Sequence, residues 1–547
     1  MRHAHRTLAP LLALSLLPLA ACSNSSDPDP DSDPNTDVNA NGCPPATPSG
    51  SVAHDPTAIL KYGSVPASSL DPIRMVEANE ITVLQTIFDP LVKLDANDQP
   101  VPGLATEWSV VDDGVMEFTL REDVVFSDGT PFDAEAVRFN IDRAMNDDES
   151  NIKAELANVQ AVEVVDEHTV RFELDPPNPA AFPIILSDRP GLMASPDAVR
   201  AAGSSTAFSD APVGAGPYVV EGAWYSRERV NVRAWDGYWN AEERLLGGID
   251  FIETSTDASL GALQAGDLDV QYIEDDKVGA ACDDDRLRVM SSSTNEIRAL
   301  LINQAIEPFD DVRVRQALRH ALDREAIAEA LTDGRSEAAT QWFPEGSVAY
   351  SAELADAYPY DPERARELLA EAGYPDGVTF TAEIGGTFTA YVRMGELVQA
   401  QLQQAGFTMD LQLIDAAQML ARLYGTADSP PQIAAAPLAM APARSPSNRF
   451  RERFFEDGRY NPSGETIPGL RDLVVGADAA VDPDERADLL RQAAALASAE
   501  AGAGVPLFFV AGHTAMGAYV GGVQRGSTRS NMTFDGLYIT EGRVPVA

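Results

Sequence analysis

Lysine and histidine are scarce in this chain, and each scarcity argues against a class of site. Only four of the 547 residues are lysines, and none stands in a Gly-x-x-x-x-Gly-Lys loop, which excludes a P-loop ATPase. The four histidines after the first 21 residues, His54, His168, His320 and His513, are scattered, without a pair at metal-ligand spacing, and no Gly-x-Ser-x-Gly nucleophile elbow occurs. The sequence therefore predicts a protein that is not an enzyme and that has no cofactor or metal site.

Positive charge as a whole is also scarce. The chain has 40 Lys and Arg against 85 Asp and Glu, which gives a formal net charge of −45. Because phosphate backbones and anionic lipid surfaces repel such a protein, we expect no nucleic acid and no anionic lipid surface among its partners.

Long apolar runs are absent apart from one at the amino terminus. Leu8 to Ala21 follows a basic start and ends in Leu19-Ala20-Ala21-Cys22, the lipobox of a bacterial lipoprotein signal. We expect residues 1–21 to be removed as the signal peptide and Cys22 to carry acyl chains that tie the protein to a lipid bilayer. The location is then outside the cytoplasm, at the outer face of a cell membrane or in the periplasm. An ordinary secretory signal with a chance cysteine is the alternative.

The segment after the lipobox has almost no residue that would enter a core. Residues 22–51 are rich in Ser, Asp, Pro and Asn, which predicts a disordered acidic tether. Of the three cysteines, Cys43 and Cys282 remain once Cys22 is assigned to lipid, and a disulfide is permitted outside the cytoplasm. Whether their Cα atoms come within about 7 Å of each other is left open by the sequence.

The remaining chain alternates between strand and helix patterns. Apolar residues alternate with polar ones at 116–120, which predicts a half-buried strand, and recur with helical spacing at 314–322. Asp361 and Asp482 each precede a proline, the signature of a capped helix start. Roughly 495 residues with such alternation predict layered α/β architecture in two or three domains.

Several segments occur along the chain in an order that matches one known family. They are Ile87–Val92, Pro102–Trp108, Phe126–Phe132, Val213–Tyr218, Ala262–Asp269, Pro308–Leu318 and Tyr360–Tyr374. Together they resemble the family 5 extracellular solute-binding proteins, the peptide and nickel class of ABC-transporter binding proteins. Each segment alone is a weak signal, but many of them in one order argue against coincidence.

The resemblance implies an α/β, two-lobed periplasmic-binding-protein-like fold of type II, in the large class that has an extra subdomain in lobe I. Lobe I is expected at residues 52–295 and 515–547, with the extra subdomain at about 90–212, and lobe II at residues 296–514. Crossing strands near 294–303 and 509–516 would form a hinge, and a ligand that touches both lobes favours the closed state.

The function that the resemblance implies is capture of a small solute or peptide and its delivery to ABC permease subunits by a monomeric protein. Peptides are the default ligand of the family, and organic acids, oligosaccharides, opine-like compounds and chelated nickel are the alternatives. A surface-anchored sensor or a chaperone-like holder without a dedicated permease is the alternative function.

Candidate ligand contacts follow from the rule that open α/β lobes bind ligands at loops beyond the carboxyl ends of strands and between domains. For the aromatic pair at 342–343 the alternative is a place in the lobe core, and for Gly386 it is a plain turn. The candidates are Val65, Pro66, Ser68, Asn295, Asn303, Trp342, Gly386, Thr387, Phe388, Met440 and Arg444.

The loop around Arg444 departs from the family. Peptide binders of the family carry a Trp and an Asp ahead of an Asp-Pro step, and that Asp pairs with the α-ammonium group of the peptide. Here residues 440–443 offer neither, the step reads Ser445-Pro446, and Arg444 is the only charge. Because an arginine fork suits a carboxylate or phosphate, we expect Arg444 to pair with an anionic group on the ligand. An exposed arginine that contributes only solubility is the alternative.

Overall fold

A computed structural model describes residue 43 and residues 53–543, with gaps at 65–66, 76–79, 96–98, 223–228, 256, 387–388, 426–430, 442, 444, 503 and 526–531. The predicted signal peptide, Cys22 and the tether apart from Cys43 lie outside the described residues. In the described ranges no helix combines the length and the apolar character needed to cross a bilayer.

The strands of the described ranges are numbered in chain order. They are β1 (Ile59–Ser64), β2 (Val92–Leu94), β3 (Pro100–Pro102), β4 (Ala105–Asp112), β5 (Val115–Leu120), β6 (Val159–Asp166), β7 (Thr169–Leu174), β8 (Tyr218–Val220), β9 (Arg229–Ala234), β10 (Gly248–Glu253), β11 (Val270–Ile273), β12 (Leu287–Ile302), β13 (Glu337–Ala338), β14 (Val378–Gly385), β15 (Phe407–Ile414), β16 (Ala435–Met440), β17 (Gly504–Gly517), β18 (Val520–Gly521), β19 (Gln524–Arg525), β20 (Met532–Thr533) and β21 (Tyr538–Ile539).

The α-helices of the same ranges are numbered likewise. They are α1 (Ile81–Ile87), α2 (Ala134–Asn146), α3 (Phe182–Ile185), α4 (Pro196–Ala202), α5 (Ser205–Asp210), α6 (Ser259–Ala265), α7 (Asp275–Cys282), α8 (Val312–His320), α9 (Arg324–Thr332), α10 (Ala352–Ala355), α11 (Pro362–Glu371), α12 (Thr389–Gln404), α13 (Ala416–Tyr424), α14 (Pro446–Phe454), α15 (Leu470–Ala479) and α16 (Pro483–Ala499).

Local sequence signals place several of these elements. The strand predicted at 116–120 is β5, and its buried residues Met116, Phe118 and Leu120 share one face. The predicted caps Asp361 and Asp482 accept hydrogen bonds from backbone N–H groups in the first turns of α11 and α16. These predictions are confirmed.

An 11-stranded sheet forms the frame of the molecule. Its strand order is β15-β14-β16-β12-β17-β11-β1-β10-β9-β8, and β13 pairs with β17 beside this path. We call β8 to β11 with β1 the first half-sheet, and β13 to β16 the second half-sheet. The two long strands β12 and β17 lie between the halves and belong to both. The mixed α/β prediction is confirmed.

The long antiparallel pair β12–β17 is irregular where it passes from one half-sheet to the other. Its register shifts between Ser293 and Ile297, and again between Arg298 and Ala299. On the carboxyl side of the first shift, Ile297 pairs with Met440 of β16. On the amino side, β17 is also flanked by β11. The interruption therefore lies at the boundary between the halves.

The second half-sheet is covered on both faces. Along β12, Ile297, Ala299 and Leu301 belong to one hydrophobic core, whereas Leu300 and Ile302 belong to another. Because successive strand residues point to opposite faces, the two cores lie on opposite sides of the sheet. A sheet buried in this way needs near-continuous apolar strands, which β16 and the amino-terminal part of β17 supply.

A second, four-stranded sheet lies within the residues that the sequence assigns to an extra subdomain. Its order is β4-β5-β7-β6, every neighbouring pair is antiparallel, and α2 packs against it. The rings of Phe118, Phe172 and Phe182 meet in its core at centroid distances of 5.0–6.1 Å. The boundaries at about 90 and 212 stay a prediction.

A disulfide joins Cys43 to Cys282 across 239 residues of sequence. The Cα–Cα distance is 5.3 Å, inside the range that a disulfide spans without backbone movement. Both cysteines pack against a small core formed by α6, α7 and the ends of β12 and β17. The bond therefore attaches the end of the predicted tether to the first half of the molecule.

A buried ion pair connects α2 to the segment before α1. Asp71 is fully buried and accepts hydrogen bonds from both terminal nitrogens of Arg143, of which Nη1 lies 3.1 Å from Oδ1. The hydroxyl of Ser205 donates to the same carboxylate. A buried carboxylate is tolerated only when such donors replace its water shell.

We predict that Arg143→Met lowers the free energy of unfolding by about 3–5 kcal/mol, because it leaves the Asp71 charge buried without its guanidinium. The matched control is Arg138→Met on the exposed face of the same helix, where the ion pair with Glu135 is solvated and contributes at most about 1 kcal/mol. Urea unfolding of both variants is the measurement. Equal stabilities of the two variants would show that the buried pair has no special role.

Candidate ligand cleft

Two of the predicted ligand loops leave the same edge of the second half-sheet. Strands β14 and β16 are parallel, with Ala382 opposite Ala435, so their carboxyl ends lie on one side. Gly386 follows β14, is exposed, and donates its backbone N–H to the carbonyl of Ile414. Met440 ends β16 directly beside the irregular part of β12. The geometry therefore brings this edge of the sheet next to the crossing strands.

The irregular segment of β12 is held by its own side chains. The hydroxyl of Thr294 donates to the carbonyl of Val510 on β17 at 2.6 Å, and it accepts from the N–H of Glu296 at 3.2 Å. The buried Glu296 carboxylate lies 3.0 Å from a terminal nitrogen of Arg298. Asn295, which lies between Thr294 and Glu296 in the sequence, is half-buried. The interruption is therefore a formed structure and not a frayed strand end.

Arg449 connects this segment to the loop after β16. Its side chain is on α14 and is only 3% exposed. One terminal nitrogen donates to the carbonyl of Ala441 at 3.0 Å, and the other donates to the carbonyl of Asn295. Burial lowers the pKa of this guanidinium, and nearby Glu452, Tyr460 and Glu296 oppose that effect. One buried cation therefore holds a candidate ligand loop and the crossing strand together.

A cavity of about 410 Å³ opens between the four-stranded sheet region and the second half of the molecule. One wall comes from residues 154–185 and the other from the start of α14 together with α15. Its volume is in the range of small-molecule sites. The polar residues of the lining include Glu155 and Asn158 on one side, and Asn448, Arg451 and Asp478 on the other.

Each wall of this cavity carries an ion pair. Glu155 pairs with Arg189 on the first side, and Asp478 pairs with Arg451 on the second. Asp478 is almost fully buried, and its Oδ1 atom has no hydrogen-bond partner among the described residues. The cavity therefore presents charges of both signs to a solute.

Five of the predicted contacts lie outside the described residues, namely Val65, Pro66, Thr387, Phe388 and Arg444. Ser68 is described, and its N–H donates to a carboxylate oxygen of Glu80. Its Oγ atom is buried and has no partner in the described part of the chain.

Two predicted contacts, Trp342 and Met440, lie in the interior of the second half. Trp342 and its neighbour Phe343 are each 4% exposed and lie in a hydrophobic core, where their rings meet those of Phe454 and Phe450. Met440 is fully buried in the same core. Apolar side chains on these faces are more stable in the core than in water, which favours the alternative that the sequence left open for Trp342. A ligand contact at Trp342 or Met440 stays a prediction.

Asn303 is also a structural residue. It is 2% exposed, its amide nitrogen donates to the carbonyl of Pro462 at 3.3 Å, and its side-chain oxygen accepts from the N–H of Ala305 at 3.1 Å. Its hydrogen-bonding groups are thus used in the turn after β12. A ligand contact at Asn303 stays a prediction.

The sequence interpretation missed Arg449, Arg451 and the cavity wall at Asp478. The sequence does contain a signal for Arg449, since Arg449 and Arg453 lie one helical turn apart, next to Phe450 and Phe454. Arginines placed along an apolar helix face, in a chain with few cations, indicate buried guanidinium groups. No local pattern distinguishes Asp478 among 85 acidic residues.

Comparisons with known proteins agree with this architecture. The profile of the bacterial extracellular solute-binding proteins, family 5 (middle) matches residues 99–436, more than half of the chain. The glutathione-binding protein of Salmonella paratyphi A is 33% identical over 362 residues, which are 65% of this chain and 70% of that protein.

Solved structures show the same fold at lower identity. HbpA2 from Haemophilus parasuis aligns with a TM-score of 0.77 and 23% identity, covering 88% of this chain and 100% of the other. A dipeptide-binding protein from a Pseudoalteromonas species, in complex with Met-Leu, aligns with a TM-score of 0.69 and 22% identity over 88% and 100% of the two chains. The chain is therefore a two-lobed α/β protein that belongs to the family 5 bacterial extracellular solute-binding proteins.

Proposed function

We propose that this protein is the solute-binding subunit of an ABC importer, which captures a small organic solute between its lobes and delivers it to permease subunits in the membrane. The observation that carries the proposal is the cavity that residues 154–185 line on one side and α14 and α15 line on the other. Binding between lobes joined by strands favours the closed state through contacts that only that state makes.

We place the lobes as the sequence predicts them, with residues 52–295 and 515–547 in lobe I and 296–514 in lobe II. The support is the register shift of β12 between Ser293 and Ile297, opposite Phe509 to Ala511 of β17. A strand pair is most easily bent where its ladder of hydrogen bonds is interrupted. The hinge then lies at the segment that Arg449 contacts.

A peptide-like solute is the ligand that we propose. Each cavity wall carries an acidic and a basic side chain, and both kinds of group suit a molecule that carries an ammonium and a carboxylate group. The relatives are named for glutathione and dipeptide binding, and both of these ligands are peptides. Arg444 would pair with an anionic group on the solute, and this role stays a prediction.

We further propose that Cys22 is lipidated and anchors the mature protein to the outer face of a bacterial membrane. The support is the run Leu19-Ala20-Ala21-Cys22 behind an apolar stretch, followed by a polar tether. Several acyl chains provide stable anchoring, since each buried CH₂ contributes about 0.8 kcal/mol.

A thermal-shift screen of the mature chain without its lipid, from Ser23 so that the Cys43–Cys282 disulfide is kept, tests the ligand class. The probes are glutathione, di- to pentapeptides, organic acids, oligosaccharides, and nickel with and without chelators. A peptide at about a hundred times its Kd is expected to add about 2.7 kcal/mol of stability and to raise the Tm, because it binds only the folded state. Stabilisation by oligosaccharides or nickel chelates alone would contradict the peptide proposal.

Arg444→Ala is expected to weaken binding of probes with a carboxylate about tenfold or more.

Arg449→Met is expected to weaken binding of the best probe by about tenfold or more. It removes two buried hydrogen bonds to carbonyl groups that a charged donor had satisfied, and these join the ligand loop to the crossing strand. Isothermal titration calorimetry is the measurement. The control is Arg471→Met on the exposed side of α15, which should bind as the wild type does. A folded Arg449→Met variant with unchanged Kd would disprove the coupling.

Cys22→Ser is expected to move the protein from the membrane fraction to the soluble extracytoplasmic fraction. Once residues 1–21 are removed, the acylated cysteine is the anchor that we propose, so its loss leaves the polar tether free. Fractionation of cells expressing the full chain is the measurement, with Ser23→Ala as the matched control. Retention on membranes of a Cys22→Ser chain from which residues 1–21 have been removed, checked by its mass, would contradict lipid anchoring.

A further inference from the structure

Carboxamide side chains line the proposed solute cavity on both of its walls. Asn158 and Asn178 lie on the wall that residues 154–185 form, and Asn448 lies on the wall that α14 and α15 form. All three side chains belong to half-buried residues. A carboxamide donates and accepts hydrogen bonds without carrying a charge, as a peptide group also does. The cavity therefore offers a solute neutral groups of one kind from two sides.

The charged side chains of the same lining are engaged with other protein groups. The carboxylate of Glu155 accepts a hydrogen bond from Arg189, and the carboxylate of Asp478 accepts one from Arg451. Charged ends of a solute can share such pairs, but this recognition does not distinguish a peptide from another molecule with both charges. Recognition of the peptide bond itself therefore depends on the neutral groups of the lining.

A hydrogen bond within the first wall orients one of the carboxamides. The Nδ2 atom of Asn158 donates to Oδ1 of Asn178 at 2.7 Å. The side-chain oxygen of Asn178 is thereby engaged, and its Nδ2 group is the donor that remains for a solute. The first wall therefore presents an N–H group that suits a carbonyl oxygen.

The second wall supplies the complementary acceptor. Asn448 lies in the first turn of α14, where its backbone N–H donates to the hydroxyl of the N-cap residue Ser445 at 3.2 Å. This cap fixes the start of the helix beside the cavity, and Ser445 itself belongs to the lining. The carboxamide oxygen of Asn448 can accept an N–H group from a solute.

We propose that Asn178 and Asn448 recognise a peptide bond of the solute, an inference that rests on the proposed function. The C=O and N–H of a planar trans peptide group point in opposite directions. A peptide bond that lies across the cavity accepts a hydrogen bond from Asn178 on one wall and donates one to Asn448 on the other. Because the two bonds end on different walls, together they favour the closed state.

The test compares peptides with esters of the same shape. The probes are Met-Leu and glutathione, each beside an analogue in which an ester oxygen replaces one peptide N–H, and calorimetric titration of the chain from Ser23 gives each Kd. The wild type is expected to bind the better peptide about tenfold more tightly than its ester, because the ester oxygen donates no hydrogen bond to Asn448.

Two variants separate the two proposed contacts. Asn448→Leu is expected to weaken binding of the peptide about tenfold and to leave that of the ester nearly unchanged, so that the ratio of the two Kd values falls to about one. Asn178→Leu is expected to weaken both probes, which share the carbonyl group, and to keep their ratio. A purely structural role of either residue would not change the two probes in this pattern.

Asn146→Leu is the matched control, because it removes a carboxamide from the exposed end of α2, where Nδ2 donates to the carbonyl of Asp142. Its Kd values are expected to equal those of the wild type. Equal binding of peptide and ester by the wild type, an unchanged ratio in Asn448→Leu, or unchanged binding by Asn178→Leu would overturn this inference and leave the importer proposal standing. If neither peptide binds, the peptide class itself is wrong, and this inference fails with it.

Discussion

The antiparallel pairing of β12 with β17 is the interaction on which both lobes depend. These strands are the longest in the described part of the chain, at 16 and 14 residues, and they supply a central ladder to each half-sheet. Each half covers its own part of the pair with a separate core, so neither half is complete without it. The register of the same pair shifts between Ser293 and Ile297 and again between Arg298 and Ala299, and Met440, after which a candidate ligand loop begins, pairs with Ile297.

Buried arginine side chains hold loops in place in this chain, which has few lysines. Arg449, Arg324 and Arg315 each reach backbone carbonyls from buried positions on helices. A planar guanidinium with five N–H donors joins two or three carbonyls at once, which a lysine does less well. Around the cleft this chemistry connects the loop after β16 to the crossing strand.

Much of the fold was open to prediction, because its signals are local. The strand alternation at 116–120 and the helix caps Asp361 and Asp482 depend only on residues a few positions away. The structure contains the predicted strand and both capped helices. The site was less predictable. Trp342 shows the reason, since an aromatic residue before a loop suits a cleft wall or a core equally, and only the approach of Phe454 from α14 decides between them.

The sequence by itself determined the class of the protein, because ordered motifs, helix caps and apolar periodicity are properties of short segments. It also determined that Cys43 and Cys282 were the pair left for a disulfide once Cys22 was assigned to lipid. Tertiary structure alone decided that these two cysteines meet, that Asp478 faces Glu155 across a cavity, and that Arg449 spans a loop and a strand. Such contacts join residues that are tens to hundreds of positions apart, and their existence depends on how whole lobes pack.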